Sequence, residues 1–192
     1  WPFGRFERGI EQGLRALLVS PNFLFRIERE PANVKPGSSY RITDLELASR
    51  LSFALWSSIP DDELLKLAEQ GTLREPEVLA AQMKRMLADP RSRRFSQNFV
   101  EQWLGMDRLN SVTHITDSSL RDAMQYEPIA FFEEVLTHNH SVMDFIHSDY
   151  AVVNERLAAH YQIPKVYGPH FRKVPINHQV HRGGLLTGAA IL

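Results

Sequence analysis

Three groups of polar residues in this 192-residue chain are spaced so that they could do chemistry. The first is His138-Asn139-His140, with His147 a short way on. Neutral imidazole is the commonest protein ligand for zinc and its neighbours. On a helix, residues two apart point about 200° away from each other. His138 and His140 can therefore converge only if the chain leaves the helix at Asn139. A site would also need a third ligand, for which Asp144 or His147 is the candidate. Exposed polar residues at a helix end explain the same sequence with no metal. The expectation is no metal, with His138, His140 and His147 as the residues that would hold one.

The second group is three further histidines, His160, His178 and His181. His178 and His181 flank Arg182-Gly183-Gly184 with three-residue spacing. A turn could bring both to one side, as ligands for a non-covalent haem or a metal. His160 follows Leu157-Ala158-Ala159 at an expected helix C-terminus, where a cation gains from the helix dipole. A structural role explains it. His160 and His181 are the candidates for contact with a cofactor.

The third group is Asp149, Tyr150 and Asn154, within Ser148-Asp149-Tyr150-Ala151-Val152-Val153-Asn154-Glu155-Arg156-Leu157-Ala158-Ala159-His160-Tyr161. Asp and Asn at turns and helix starts are ordinary caps, and a buried hydrogen-bond network accounts for the rest. The alternative is catalysis or substrate binding, with Arg182 completing the set. Glycoside hydrolysis would need a second carboxylate about 5–10 Å from Asp149, and the sequence does not place one.

Other chemistries are excluded or lack a motif. There are no cysteines, so disulfides, thiolate zinc sites, a cysteine nucleophile and covalent c-type haem attachment are ruled out within this chain. No Walker, Gly-x-Gly-x-x-Gly, Gly-x-Ser-x-Gly or His-Glu-x-x-His pattern occurs. The 22 basic and 23 acidic residues balance to a formal charge of -1, which supplies no global attraction to nucleic acid or an anionic membrane. The basic run Arg91 to Arg94, with Lys84 and Arg85, reads as a solvated helix face. No apolar run approaches the roughly 20 residues of a membrane span.

Helices must position these groups. Ile10, Leu14, Leu17 and Leu18 set a helix over Gly9 to Val19, ended or kinked at Ser20-Pro21. Thr43-Asp44-Leu45-Glu46 is a capping box opening a helix to about Trp56. Pro60-Asp61 starts another, closed by Gly71. Thr72 and Pro76 compete as the next start. Pro76 fits best at the first helical position, so the start falls near Glu75. Asp89-Pro90 restarts the chain, and Phe95, Phe99 and Trp103 repeat every four residues, as core positions do. Asp117 opens a long helix from about Ser119 to His138 with Pro128 inside it. Short helices follow over Ser141 to His147 and Val153 to Gln162, then an irregular stretch with a strand candidate at Phe171 to Val174. The fold expected is all-α, a single multi-helix domain of about eight helices. Its hydrophobic fraction of 43% is enough for a core.

Four segments carry a resemblance to a known family. They are Ala16-Leu17-Leu18-Val19-Ser20-Pro21-Asn22-Phe23-Leu24-Phe25-Arg26, the stretch from Leu47 to Asp61, the Asp149 to Tyr161 motif, and Arg182-Gly183-Gly184-Leu185-Leu186-Thr187. Together they resemble the domain of unknown function 1592 module of planctomycete-type, cytochrome c associated proteins, running into the 1588 module at the C-terminus. The resemblance implies a piece of a larger, exported bacterial protein, periplasmic or secreted. Residues 1-28 would be the tail of a preceding helical module, 40-176 the central module, and 177-192 the start of a following one. It also implies a c-type haem elsewhere in the parent, none within this segment, and neighbouring domains of the same chain as partners. Polysaccharide is a further partner the family suggests. The family supplies no catalytic residues to carry over. Three functions stay open: a structural or interaction module beside a haem domain, part of an extracytoplasmic oxidoreductase site, and a carbohydrate-active or carbohydrate-binding domain.

Overall fold

The computed structural model describes residues 5–25, 31, 34–35, 37–106, 115–176 and 183–191. Among these, eight α-helices and a single two-stranded sheet form the regular structure, so the all-α expectation holds. The expected module boundaries at residues 28 and 177 fall outside the described residues.

Local signals set most helix ends. α1 (Arg5–Leu18) stops before Ser20, which is extended and leads through Pro21 into the single turn of α2 (Pro21–Leu24). At α3 (Asp44–Trp56), Thr43 Oγ1 accepts from the Glu46 amide at 3.2 Å while the Glu46 carboxylate accepts from the Thr43 amide at 2.7 Å. Asp61 caps α4 (Asp62–Glu69) by accepting from Leu64 N–H at 3.1 Å. α5 (Pro76–Ala88) begins at Pro76, while Thr72 closes a turn with Glu75 instead. Asp89 caps one 3-10 turn, Pro90–Ser92, which leads into α6 (Arg93–Leu104). Gly105 ends α6 at φ 61°.

α3, α4 and α5 enclose one core around Trp56, Leu64, Leu73 and Met86, all fully buried. Trp56 Nε1 donates to the Met86 carbonyl at 3.0 Å, so the indole is buried without an orphaned donor. The basic run is tied down more closely than a solvated face would be. Arg91 lies 3.6 Å over the Trp56 ring and pairs with Asp89 at 2.8 Å. Arg85 meets Asp61 at 2.7 Å.

α7 (Ser118–Thr137) opens at Asp117, which accepts from Leu120 N–H at 3.0 Å, and carries Pro128 buried in its interior. Clusters around Met124, Phe131 and Phe132 pack along it. Phe95 touches both the Trp56 and the Phe132 clusters, so α6 joins the two halves.

Two expectations change here. The helix expected from Val153 begins later, because Tyr150–Val153 is a strand, β1. It pairs antiparallel with β2 (Arg172–Pro175), Val152 opposite Lys173. Val152 and Val153 are buried β-branched residues suited to a pleat. Their partner strand lies some twenty residues on, so the local sequence gave no warning. Asn154 then caps α8 (Glu155–His160) by accepting from Leu157 N–H at 3.0 Å. Phe99 and Trp103 also depart from the core expected of them, at 43% and 50% exposed. Their rings meet at 5.6 Å, tilted by 35°, and Phe99 meets Phe132 at 5.2 Å with the same tilt, so each ring is only partly covered.

Candidate functional site

The histidine pair does converge, and the end of α7 explains how. The helix stops at Thr137, and Asn139 adopts the left-handed conformation at φ 52°. The His140 amide then bonds back to the Val135 carbonyl at 3.0 Å, as in a Schellman motif. That reversal brings the His138 and His140 rings to 5.6 Å, stacked.

The third member is Glu134, one turn before His138 on α7. His140 Nε2 lies 3.1 Å from Glu134 Oε1, and His138 Nδ1 lies 3.2 Å from Glu134 Oε2. Neither Asp144 nor His147 fills that role. Asp144 instead accepts from the Tyr150 hydroxyl at 2.9 Å. β2 adds Lys173, whose Nζ lies 3.0 Å from His140 Nε2, 3.6 Å from Glu134 Oε1 and 3.9 Å from the centre of the Tyr150 ring. Lys173 reaches Tyr150 because the two are diagonal neighbours across the ladder. Burial, with Asp144 accepting its hydrogen bond, raises the Tyr150 pKa, so the phenol stays a neutral donor.

Glu134, His138 and Lys173 line a polar groove of about 500 Å³ that also takes in Arg93, Tyr126 and Glu133. Arg93 bonds the Tyr126 hydroxyl and reaches Glu133 at 3.2 Å. Burial pushes the Tyr126 pKa up, against the opposing pull of Arg93. Two imidazoles and a carboxylate are the donor set that suits divalent transition metals with an open position. Sequence reasoning missed Glu134 and Lys173. Glu134 stands at i−4 from His138, a legible signal, whereas Lys173 depends on strand pairing.

The Asp149, Tyr150 and Asn154 set does not gather at one cleft. Asn154 is the α8 cap, Tyr150 is buried, and Asp149 is exposed, with its carbonyl accepting from Ile176 N–H at 2.9 Å. Neither Asp149 nor Asn154 lines the larger clefts. His160 is exposed at the end of α8, its ring 5.4 Å from that of Tyr161. His178, His181 and Arg182 lie outside the described residues.

The motif instead forms an internal clasp with the glycine pair. Ser148 Oγ donates to the Tyr150 carbonyl at 2.6 Å and accepts from Gly184 N–H at 2.9 Å. A side chain on Gly183 would overlap the Ser148 carbonyl, and one on Gly184, at φ 85°, would come within 2.8 Å of the Ile146 backbone. Leu185 is buried against Phe131, Tyr150 and Val152. At the far end Tyr161 donates to buried Glu127 at 2.5 Å and accepts from Ala189 N–H at 2.8 Å.

A larger cleft, about 750 Å³, runs between α6 and α7. Gln97, Glu101, Gln102, Asp122, Gln125 and Tyr126 line it. Among the described residues no helix is long and apolar enough to cross a membrane.

No curated protein and no solved structure matches the chain. A family model described as "Protein of unknown function (DUF1592)" matches residues 42–163. The match covers more than half of the chain, from α3 through α8 with Glu134, His138 and His140 but not Lys173, and the chain therefore belongs to this family of unknown function, DUF1592.

Proposed function

We propose that this chain is a helical interaction module of a larger, exported, cytochrome c associated protein, and that it docks a neighbouring domain of the same parent through α1 and α2. The observation that carries this reading is the apolar stripe of those helices. Ile10, Leu14, Leu17 and Leu18 are 49%, 56%, 55% and 53% exposed, and Phe23, Leu24 and Phe25 continue the surface. None belongs to any of the four buried clusters. A helix this amphipathic is ordinarily held by burying its stripe. A contiguous apolar surface of this kind is typical of an interface. In the other segments that carry the resemblance, Asp61 and Asn154 are caps, Trp56, Val152 and Leu157 are core residues, and Gly183 and Gly184 are half of the clasp. The test is to mix this chain with separately expressed neighbouring domains of the parent. Association that is lost in Leu14→Asp/Leu17→Asp, with the circular dichroism of the chain unchanged, supports docking. Equal association of both forms contradicts it.

The α6–α7 cleft favours carbohydrate binding as a second reading. Its amides, carboxylates and Tyr126 are groups that hydrogen-bond sugar hydroxyls, and Phe99 and Trp103 offer exposed rings on the same helix. Polysaccharide retention on an affinity gel, abolished by Gln125→Ala, tests it. Of the two residues offered for a share in an oxidoreductase site, His160 lines neither cleft and His181 lies outside the described residues.

A further inference from the structure

We infer that Glu134, His138 and His140 form a binding site for a divalent transition metal of the zinc class, in which the Lys173 ammonium takes the cation's place when no metal is bound. The ligand atoms of the three residues all lie within 4.8 Å of one another. Glu134 Oε1 lies 3.1 Å from His140 Nε2 and Glu134 Oε2 lies 3.2 Å from His138 Nδ1, each near the ligand–ligand spacing of about 3.4 Å that tetrahedral bonds of about 2.1 Å demand, so the carboxylate can serve through one oxygen after a small rotation or through both. The Asn139 reversal fixes that geometry, because it turns two histidines that would diverge on a helix toward one carboxylate.

Lys173 is the second observation. Its ammonium lies 3.0 Å from His140 Nε2 and 3.6 Å from Glu134 Oε1, so an imidazole nitrogen and a carboxylate oxygen already face one positive charge. His140 Nε2 cannot accept from Lys173 and also donate to Glu134, since a neutral ring nitrogen does one or the other. A metal ion satisfies the nitrogen lone pair and the carboxylate together. Lys173 is 39% exposed in its side chain, so it can swing into solvent as the ion enters. Its charge near the site opposes the ion, and neutralising it tightens binding.

Zn²⁺ titrated into the full chain, free of any histidine tag and stripped with chelator, tests this by calorimetry. Co²⁺ gives the coordination number from its visible absorption. The expected result is one ion per chain at micromolar affinity with a four-coordinate Co²⁺ spectrum. His140→Ala and Glu134→Gln weaken it by about tenfold or more, Lys173→Met tightens it, and His147→Ala leaves it unchanged. His138 is 58% exposed in its side chain, so His138→Ala keeps the fold and supplies an independent loss of affinity. No saturable binding, or equal loss in His147→Ala, overturns the site. A Lys173→Met chain that binds no tighter than the wild type overturns the exchange with the ammonium.

Discussion

At the scale of single residues, the clasp between Ser148 and the glycine pair shows how a distinctive motif can be wholly architectural. Ser148 joins β1 to Gly184, and the glycines are there because backbone approaches backbone. Gly184→Ala should lower unfolding free energy by about 2 kcal/mol or more, from the positive φ and the overlap together. Urea denaturation followed by circular dichroism measures it, and an unchanged midpoint would contradict the clasp. Arg91 hydrogen bonds hold the Asp89 carboxyl down to about 2, against an ordinary 3.8. The unfolded chain therefore takes up that proton first as pH falls. The pair's contribution is complete above the ordinary value and is lost as pH falls through about 2. Asn can still cap at position 89, so Asp89→Asn isolates the charge. The gap in urea midpoint between wild type and this variant should narrow as pH falls below about 5 and close only below about 2. It should also shrink in high salt, because Asp89 and Arg91 are solvent-screened. The caps Thr43, Asp89 and Asp117 were legible in the sequence, since each acts within its own turn, whereas Asp61 and Asn154 were read only as lying near a helix start. The Glu134–Lys173 contact was not, because 39 residues and a strand pairing separate the two.

At the scale of elements, α7 does most of the positioning. Its buried face carries the clusters, its last turn supplies Glu134 and His138, and its left-handed exit at Asn139 supplies His140. Helical spacing revealed the element and its approximate end. Only the reversal, which Asn tolerates better than most residues, decided that the histidines meet. The sheet was half legible. β2 was foreseen within one residue, whereas β1 was missed, its last residue Val153 being read as a helix start, because its four residues have no local partner. The capping box predicts a measurable effect at the start of α3. Thr43→Ala removes the acceptor for the Glu46 amide and should reduce stability by about 1 kcal/mol. Thr43→Ser should retain most of it. Thermal melts of the two variants separate the cap from the lost methyl group.

At the scale of the whole molecule, two halves share α6, and α1 with α2 stands outside both. Phe95 bridges the halves, so a truncation there should loosen both cores at once. Phe95→Ala is expected to cost about 3 kcal/mol or more in a single cooperative transition. The unburied stripe of α1 was visible in the sequence as helical periodicity, but periodicity names a face and not its occupant. Docking of that face is the central claim. Hydrogen–deuterium exchange, comparing the parent protein with this chain alone, tests it most directly. The account predicts that amides of α1 and α2 exchange quickly in the isolated chain and are strongly protected in the parent, while α3 to α8 are protected equally in both. Equally fast exchange of α1 and α2 in both proteins would contradict it.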